Sequence, residues 1–64
     1  MLTVNGTSCE LVGKTVLEYL TLSGYDAKKV AVEQNGSIVP KAKYGETMLA
    51  DDDTVEIVSF VGGG

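Results

Sequence analysis

The sequence predicts an α+β roll, a four- to five-stranded mixed sheet packed on one main helix. Its basis is a pair of Asn-Gly turns, one capped helical stretch and a strand-like run late in the chain. The turns, at 5–6 and 35–36, each lie between short alternating apolar segments, the pattern of a tight hairpin. The order along the chain is therefore hairpin, helix, hairpin, final strand. A lone helix covers only one sheet face, and it supplies the long crossover that parallel strands demand. A ferredoxin-like fold would need a second helix, for which no segment offers the periodicity.

In the first hairpin, Leu2 and Val4 alternate with Thr3 and Asn5. "NGT" at 5–7 makes the turn, and Cys9 and Leu11, alternating with Ser8 and Glu10, form the return strand. The helix lies in "GKTVLEYLTLSG". Thr15 and Glu18 have capping-box spacing, in which each side chain reaches the other residue's backbone N–H. Val16, Leu17 and Leu20 share a face, Tyr19 and Leu22 lie off its centre, and Gly24 stands where a glycine ends a helix. In "KVAVEQNGSIVP", Val30 and Val32 face one way and Ala31 and Glu33 the other. Ile38 and Val39 make a short partner strand that Pro40 stops or confines to an edge. "KAKYGETMLADDD" is irregular, with one helical turn near Tyr44. The last strand, "TVEIVSFV" at 54–61, places Val55 and Ile57 on one face, with Val58 and Phe60 on the other. This is the β-grasp arrangement of ubiquitin-like proteins, a single domain over residues 1–61 with a flexible glycine tail at 62–64.

Composition narrows the chemistry. With 64 residues, a net charge of −4 and five lysines against nine acids, the chain is a poor match for a nucleic-acid backbone. The same balance suits a partner with a basic surface. Histidine is absent, which removes the commonest acid–base group. The single cysteine, Cys9, has no partner for an internal disulfide and no histidine to activate it, and it reads as structural. No metal site is expected, and no glycine-rich loop opens a helix to cradle phosphate. Asp51, Asp52 and Asp53 read as a solvated turn, because calcium loops alternate their ligands. Lys28, Lys29, Lys41 and Lys43 read as solvent-exposed. No apolar run reaches the ~20 residues of a membrane span, and "MLTVNGTSCE" lacks the pattern of a secretory signal, so a cytoplasmic location is expected.

What remains is "SFVGGG". In an arbitrary chain such glycines are a frayed end. Here they follow an apolar strand directly and finish in an α-carboxylate on an unbranched arm. From Val61 onward the arm reaches roughly 13 Å when extended. It would thread a narrow tunnel that excludes side chains and present an ionised carboxylate for attack on the α-phosphorus of ATP. The resulting mixed anhydride is open to sulfur, nitrogen or oxygen nucleophiles. On this reading the chain is no enzyme but a co-substrate on which partner enzymes act. Val58 and Phe60 either complete a second small cluster under the 41–49 loop or, with Val61, form an apolar docking patch beside the tail, which is the expectation adopted.

"VAVEQNGSIVPKAKY", "LADDDTVEIVSFVGGG" and the opening "LTVNGT" strongly resemble the ThiS family, sulfur carriers of thiamine thiazole biosynthesis. The likeness covers essentially the whole chain. A diglycine end alone would not discriminate, since ubiquitin relatives and the molybdopterin carrier MoaD share it. The resemblance implies that Gly64 is adenylated by a ThiF-like E1-type enzyme that consumes ATP, with Gly62 and Gly63 threading into that active site. Sulfur from a cysteine desulfurase pathway would convert Gly64 to a thiocarboxylate, from which thiazole synthase, ThiG, takes the sulfur. It implies no cofactor bound to the chain itself. The departures are Lys41, where family members often carry arginine, and an acidic turn without the family's glycine. Alternative expectations are a MoaD-like carrier for molybdopterin, a modifier conjugated to lysines, and an inert β-grasp interaction module.

Overall fold

The computed structural model describes residues 1–59. The element order is β1 (Thr3–Val4), β2 (Thr7–Ser8), α1 (Val16–Leu22), β3 (Val30–Gln34), β4 (Ser37–Val39) and β5 (Thr54–Ser59), with 3-10 turns at Ala27–Lys29 and Lys41–Lys43. The strands form one sheet in the order β2-β1-β5-β3-β4, in which β1 and β5 are parallel and the other neighbours antiparallel. The expected roll is therefore present, with five strands.

Both hairpins close through a pair of residues with positive φ: Asn5 at 51° and Gly6 at 81°, then Asn35 at 53° and Gly36 at 85°. That geometry matches the right-handed twist of the flanking strands, and Asn-Gly adopts it with little strain. The capping box is complete. Thr15 Oγ1 accepts from the Glu18 amide at 3.1 Å, and the Thr15 amide donates to Glu18 Oε1 at 2.8 Å. Two further amides at this end, Val16 and Leu17, donate to the carbonyls of Thr47 and Tyr44 at 2.8 and 2.9 Å. The amides that a helix start leaves without intrahelical partners are thus satisfied, which docks α1 onto the 44–49 loop. At the other end, Gly24 has φ +82°, and the Tyr25 amide reaches the Leu20 carbonyl at 2.9 Å. This is a Schellman closure, the stop that Gly24 signals in the sequence. The rings of Tyr19 and Tyr25 pack 6.5 Å apart across it.

One core lies between α1 and the inner sheet face: Leu2, Val4, Val16, Leu20, Val30, Val32, Val39, Tyr44, Leu49, Val55 and Ile57. The alternation read for β1, β3 and β5 is reproduced. Leu17 is a correction, since it is exposed while Tyr19 packs on the core. At 100° per residue, Val16, Tyr19 and Leu20 span the same 100° arc as Val16, Leu17 and Leu20, so spacing alone does not choose between them, and docking of the helix start selects the former. The first hairpin is also shorter than expected. β2 ends at Ser8, and Cys9 leaves the strand half-buried against the core. Its amide still returns to the Leu2 carbonyl at 2.9 Å. The irregular 41–53 segment contributes Tyr44 and Leu49 to the core, burial that no periodicity in that stretch announces.

The acidic turn is the second correction. Asp51 and Asp52 are exposed and lie against the Met1 amino group, but Asp53 is half-buried and organises the corner. Its carboxylate accepts from Gln34 Nε2 at 2.8 Å, Asn35 Nδ2 at 2.9 Å and the Ala50 amide at 2.9 Å. The Asn35 contact, then that of Ala50, hold this carboxyl below its ordinary value of 3.8, against the opposing effect of burial. A depressed folded-state pKa stabilises the fold above the unfolded-state value and ceases to do so as pH falls through the folded-state value. Urea melts from pH 5 downward should therefore show stability declining below about pH 4, with the decline shallower in Asp53→Asn. Parallel acid limbs for the two proteins would remove Asp53 from the account.

Candidate functional site at the end of β5

β5 is the central strand, held by β1 on one side and β3 on the other. On the β1 side, the amides of Thr3 and Asn5 donate to the carbonyls of Asp53 and Val55 at 3.0 and 2.8 Å. β1 then turns away, and the Asn5 side chain adds one more rung. Its Oδ1 accepts from the Ile57 amide at 2.7 Å, and its Nδ2 donates to the Ile57 carbonyl at 3.3 Å. A carboxamide has the same donor and acceptor as a peptide unit, so Asn5 extends the parallel ladder without a strand residue. The sequence places Asn5 in the first strand and its turn, and nothing local announces this contact with β5.

On the β3 side, register pairs Ala31 with Val58 and Val30 with Ser59, the last described residue. The start of β3 is itself fixed from beyond β4. Pro40 ends β4, although two residues on from the Val32–Val39 pair the same register sets Lys41 opposite Val30. The Lys41 backbone enters a 3-10 turn, but its side chain returns to this corner. Lys41 Nζ donates to the carbonyls of Ala27, Lys28 and Val30 at 3.3, 3.0 and 3.2 Å. The buried Tyr44 hydroxyl donates to the same Val30 carbonyl at 3.1 Å, and burial pushes its pKa above the ordinary 10.0. Lys41 is exposed, as the sequence suggests, and its ammonium also closes the corner against which β5 ends. Its register with Val30 was the signal available in the sequence.

Of the residues singled out for the tail, Phe60, Val61, Gly62, Gly63 and Gly64 lie outside the described residues. Val58 is described and is 59% exposed on the sheet face that α1 does not cover. That placement leaves it out of the core and uncovered by the 41–49 loop. Among the described residues no group of three or more His, Cys, Asp or Glu is placed to hold a metal ion. A shallow groove lined by Lys14, Leu17, Glu18, Thr21 and Leu22 runs along the outer side of α1. No helix among the described residues is long and apolar enough to cross a membrane.

The model of the ThiS family matches residues 2–64, nearly the entire chain and all of its glycine end. The chain belongs to the ThiS family. The sulfur carrier protein ThiS of Bacillus subtilis is 44% identical over 50 residues, covering 78% of this chain and 76% of that protein. A thiazole synthase of Paramagnetospirillum magneticum is 42% identical over 64 residues, and one of Magnetococcus marinus is 40% identical over 62. The matches cover 98% and 95% of this chain, which spans only 20% and 19% of those two proteins. The crystal structure of the thiamine biosynthesis protein ThiS from Geobacter metallireducens superposes with a TM-score of 0.80 at 36% identity, covering 98% of this chain and 97% of that one. The β-grasp roll is therefore the ThiS fold, and Asn5, Lys41 and Tyr44 are the means by which this member fixes the end of its central strand.

Proposed function

We propose that this chain is a sulfur carrier of thiamine biosynthesis and that its reactive group is the Gly64 carboxylate. The observation that carries the reading is the ThiS family match, which runs through Gly64 on a fold whose central strand leads into the glycine arm. A ThiF-like, E1-type adenylating enzyme takes the arm, with Gly62 and Gly63 passing where side chains would collide with the walls. A carboxylate oxygen attacks the α-phosphorus of ATP, pyrophosphate leaves, and the acyl-adenylate forms. A sulfide-equivalent nucleophile supplied through a cysteine desulfurase pathway then attacks the carbonyl carbon, and AMP leaves. The thiocarboxylate so formed gives its sulfur to a thiazole synthase. The two thiazole synthases that contain a ThiS-like stretch support that choice of acceptor.

In this scheme the chain catalyses nothing, binds no cofactor of its own and works in the cytoplasm. Its contribution is to hold the arm on a rigid strand while exposed Val58, with Phe60 and Val61, meets the partner. Mass spectrometry of the intact chain after incubation with ATP, the adenylating enzyme and a sulfur source tests the reading. The expected product has one oxygen replaced by one sulfur, and a chain of unchanged mass opposes it.

A further inference from the structure

The open face of the sheet carries an arrangement that stability does not favour. Among all residues of the five strands, the only charged ones are Glu33 and Glu56. They stand directly opposite each other on β3 and β5. Side chains so paired have Cβ atoms about 5 Å apart, and like charges in that position destabilise a sheet. None of the five lysines is on a strand, and neither glutamate is ion-paired among the described residues. Apolar side chains flank the pair. Ile38, opposite Glu33 on β4, is 64% exposed, and Val58, opposite Ala31, is 59% exposed. A local rule broken on an exposed face, with no compensating ion pair among the described residues, is the mark of a surface shaped for a partner.

The length of the tail says where a partner that acts on it must sit. Five residues follow Ser59 and reach roughly 17 Å at most, so an enzyme that receives Gly64 must rest its body against the surface around the end of β5. Resting on the proposed carrier function, we propose that Glu33 and Glu56 form a joint anionic docking point for the adenylating enzyme, which sets an arginine between them. A planar guanidinium has donors enough to serve both carboxylates at once, and Ile38 and Val58 exclude water around it. The pair is then unfavourable in the free carrier and neutralised in the complex, which makes it a determinant of partner choice.

The test compares wild type with Glu33→Gln/Glu56→Gln and with Glu56→Lys in carrier-dependent ATP–pyrophosphate exchange, alongside thermal melts. Both variants should melt higher than wild type, by about 1–5 °C, as the repulsion is removed. Both should lose kcat/KM by about 10- to 100-fold, chiefly through KM, since the enzyme's arginine is left unmatched. The wild-type KM should rise with added salt and that of the double variant should not. Equal kcat/KM for folded wild type and variants, with wild type active, overturns the docking point and leaves the carrier function standing. A wild-type chain that supports no exchange overturns both.

Discussion

Deleting Gly64 should abolish sulfur loading while leaving the fold intact. The reactive carboxylate then belongs to Gly63 and is withdrawn by one residue, about 3.3 Å. A misplacement of only ~1 Å at a reacting centre costs about 100-fold in rate, so the truncated chain should lose at least that factor. Among the described residues no core residue lies beyond Ile57, and the thermal melt should be unchanged. The measurement is the rate of thiocarboxylate formation by intact mass, with the melt as the control. Loading of the truncated chain within about threefold of wild type would place the chemistry elsewhere.

The largest loss of stability is expected from Leu20→Ala. Leu20 is fully buried and, with Val16, forms the buried contact of α1 with the sheet. A helix of seven residues has too few internal hydrogen bonds to persist alone, so this packing is what keeps it. The substitution should cost about 2–5 kcal/mol through lost burial and the cavity left behind. A domain of this size is expected to have only about 3–10 kcal/mol in total, so a large part of the population should unfold at 37 °C. Urea denaturation followed by circular dichroism measures the loss. A shift below about 1 kcal/mol would mean that the helix is held mainly by its cap and its docking to the 44–49 loop.

What could be read from the sequence was what local rules control. The Asn-Gly turns, the Thr15–Glu18 box, Gly24 and the alternation of Val30, Val32, Val55 and Ile57 each depend on neighbours within a few positions, and each appears in the fold. The readings that failed depend on distant segments. Leu17 looked like core because its spacing from Val16 and Leu20 is helical, but the 44–49 loop orients the helix start and turns Leu17 outward. Asp53 looked like one of three solvated acids until the second hairpin brought Gln34 and Asn35 to it. Lys41 is the surface charge that the sequence suggests, but its partners, the carbonyls of residues 27, 28 and 30, lie 11 to 14 positions earlier and no local pattern announces them. Asn5 has its second role only once β5 lies alongside, 52 positions later. For the candidate site, the residues that immobilise the strand were not legible, because they form a pattern across the chain rather than along it, while Phe60 to Gly64 lie outside the described residues.

The carrier function comes down to the identity of one atom at Gly64. The intact chain is incubated with ATP, a ThiF-like adenylating enzyme and a desulfurase-derived sulfur source, and its C-terminal fragment is sequenced by tandem mass spectrometry. The predicted result is replacement of one oxygen by sulfur, confined to Gly64 and dependent on ATP. An unmodified Gly64, under conditions that load a known ThiS protein, would contradict it.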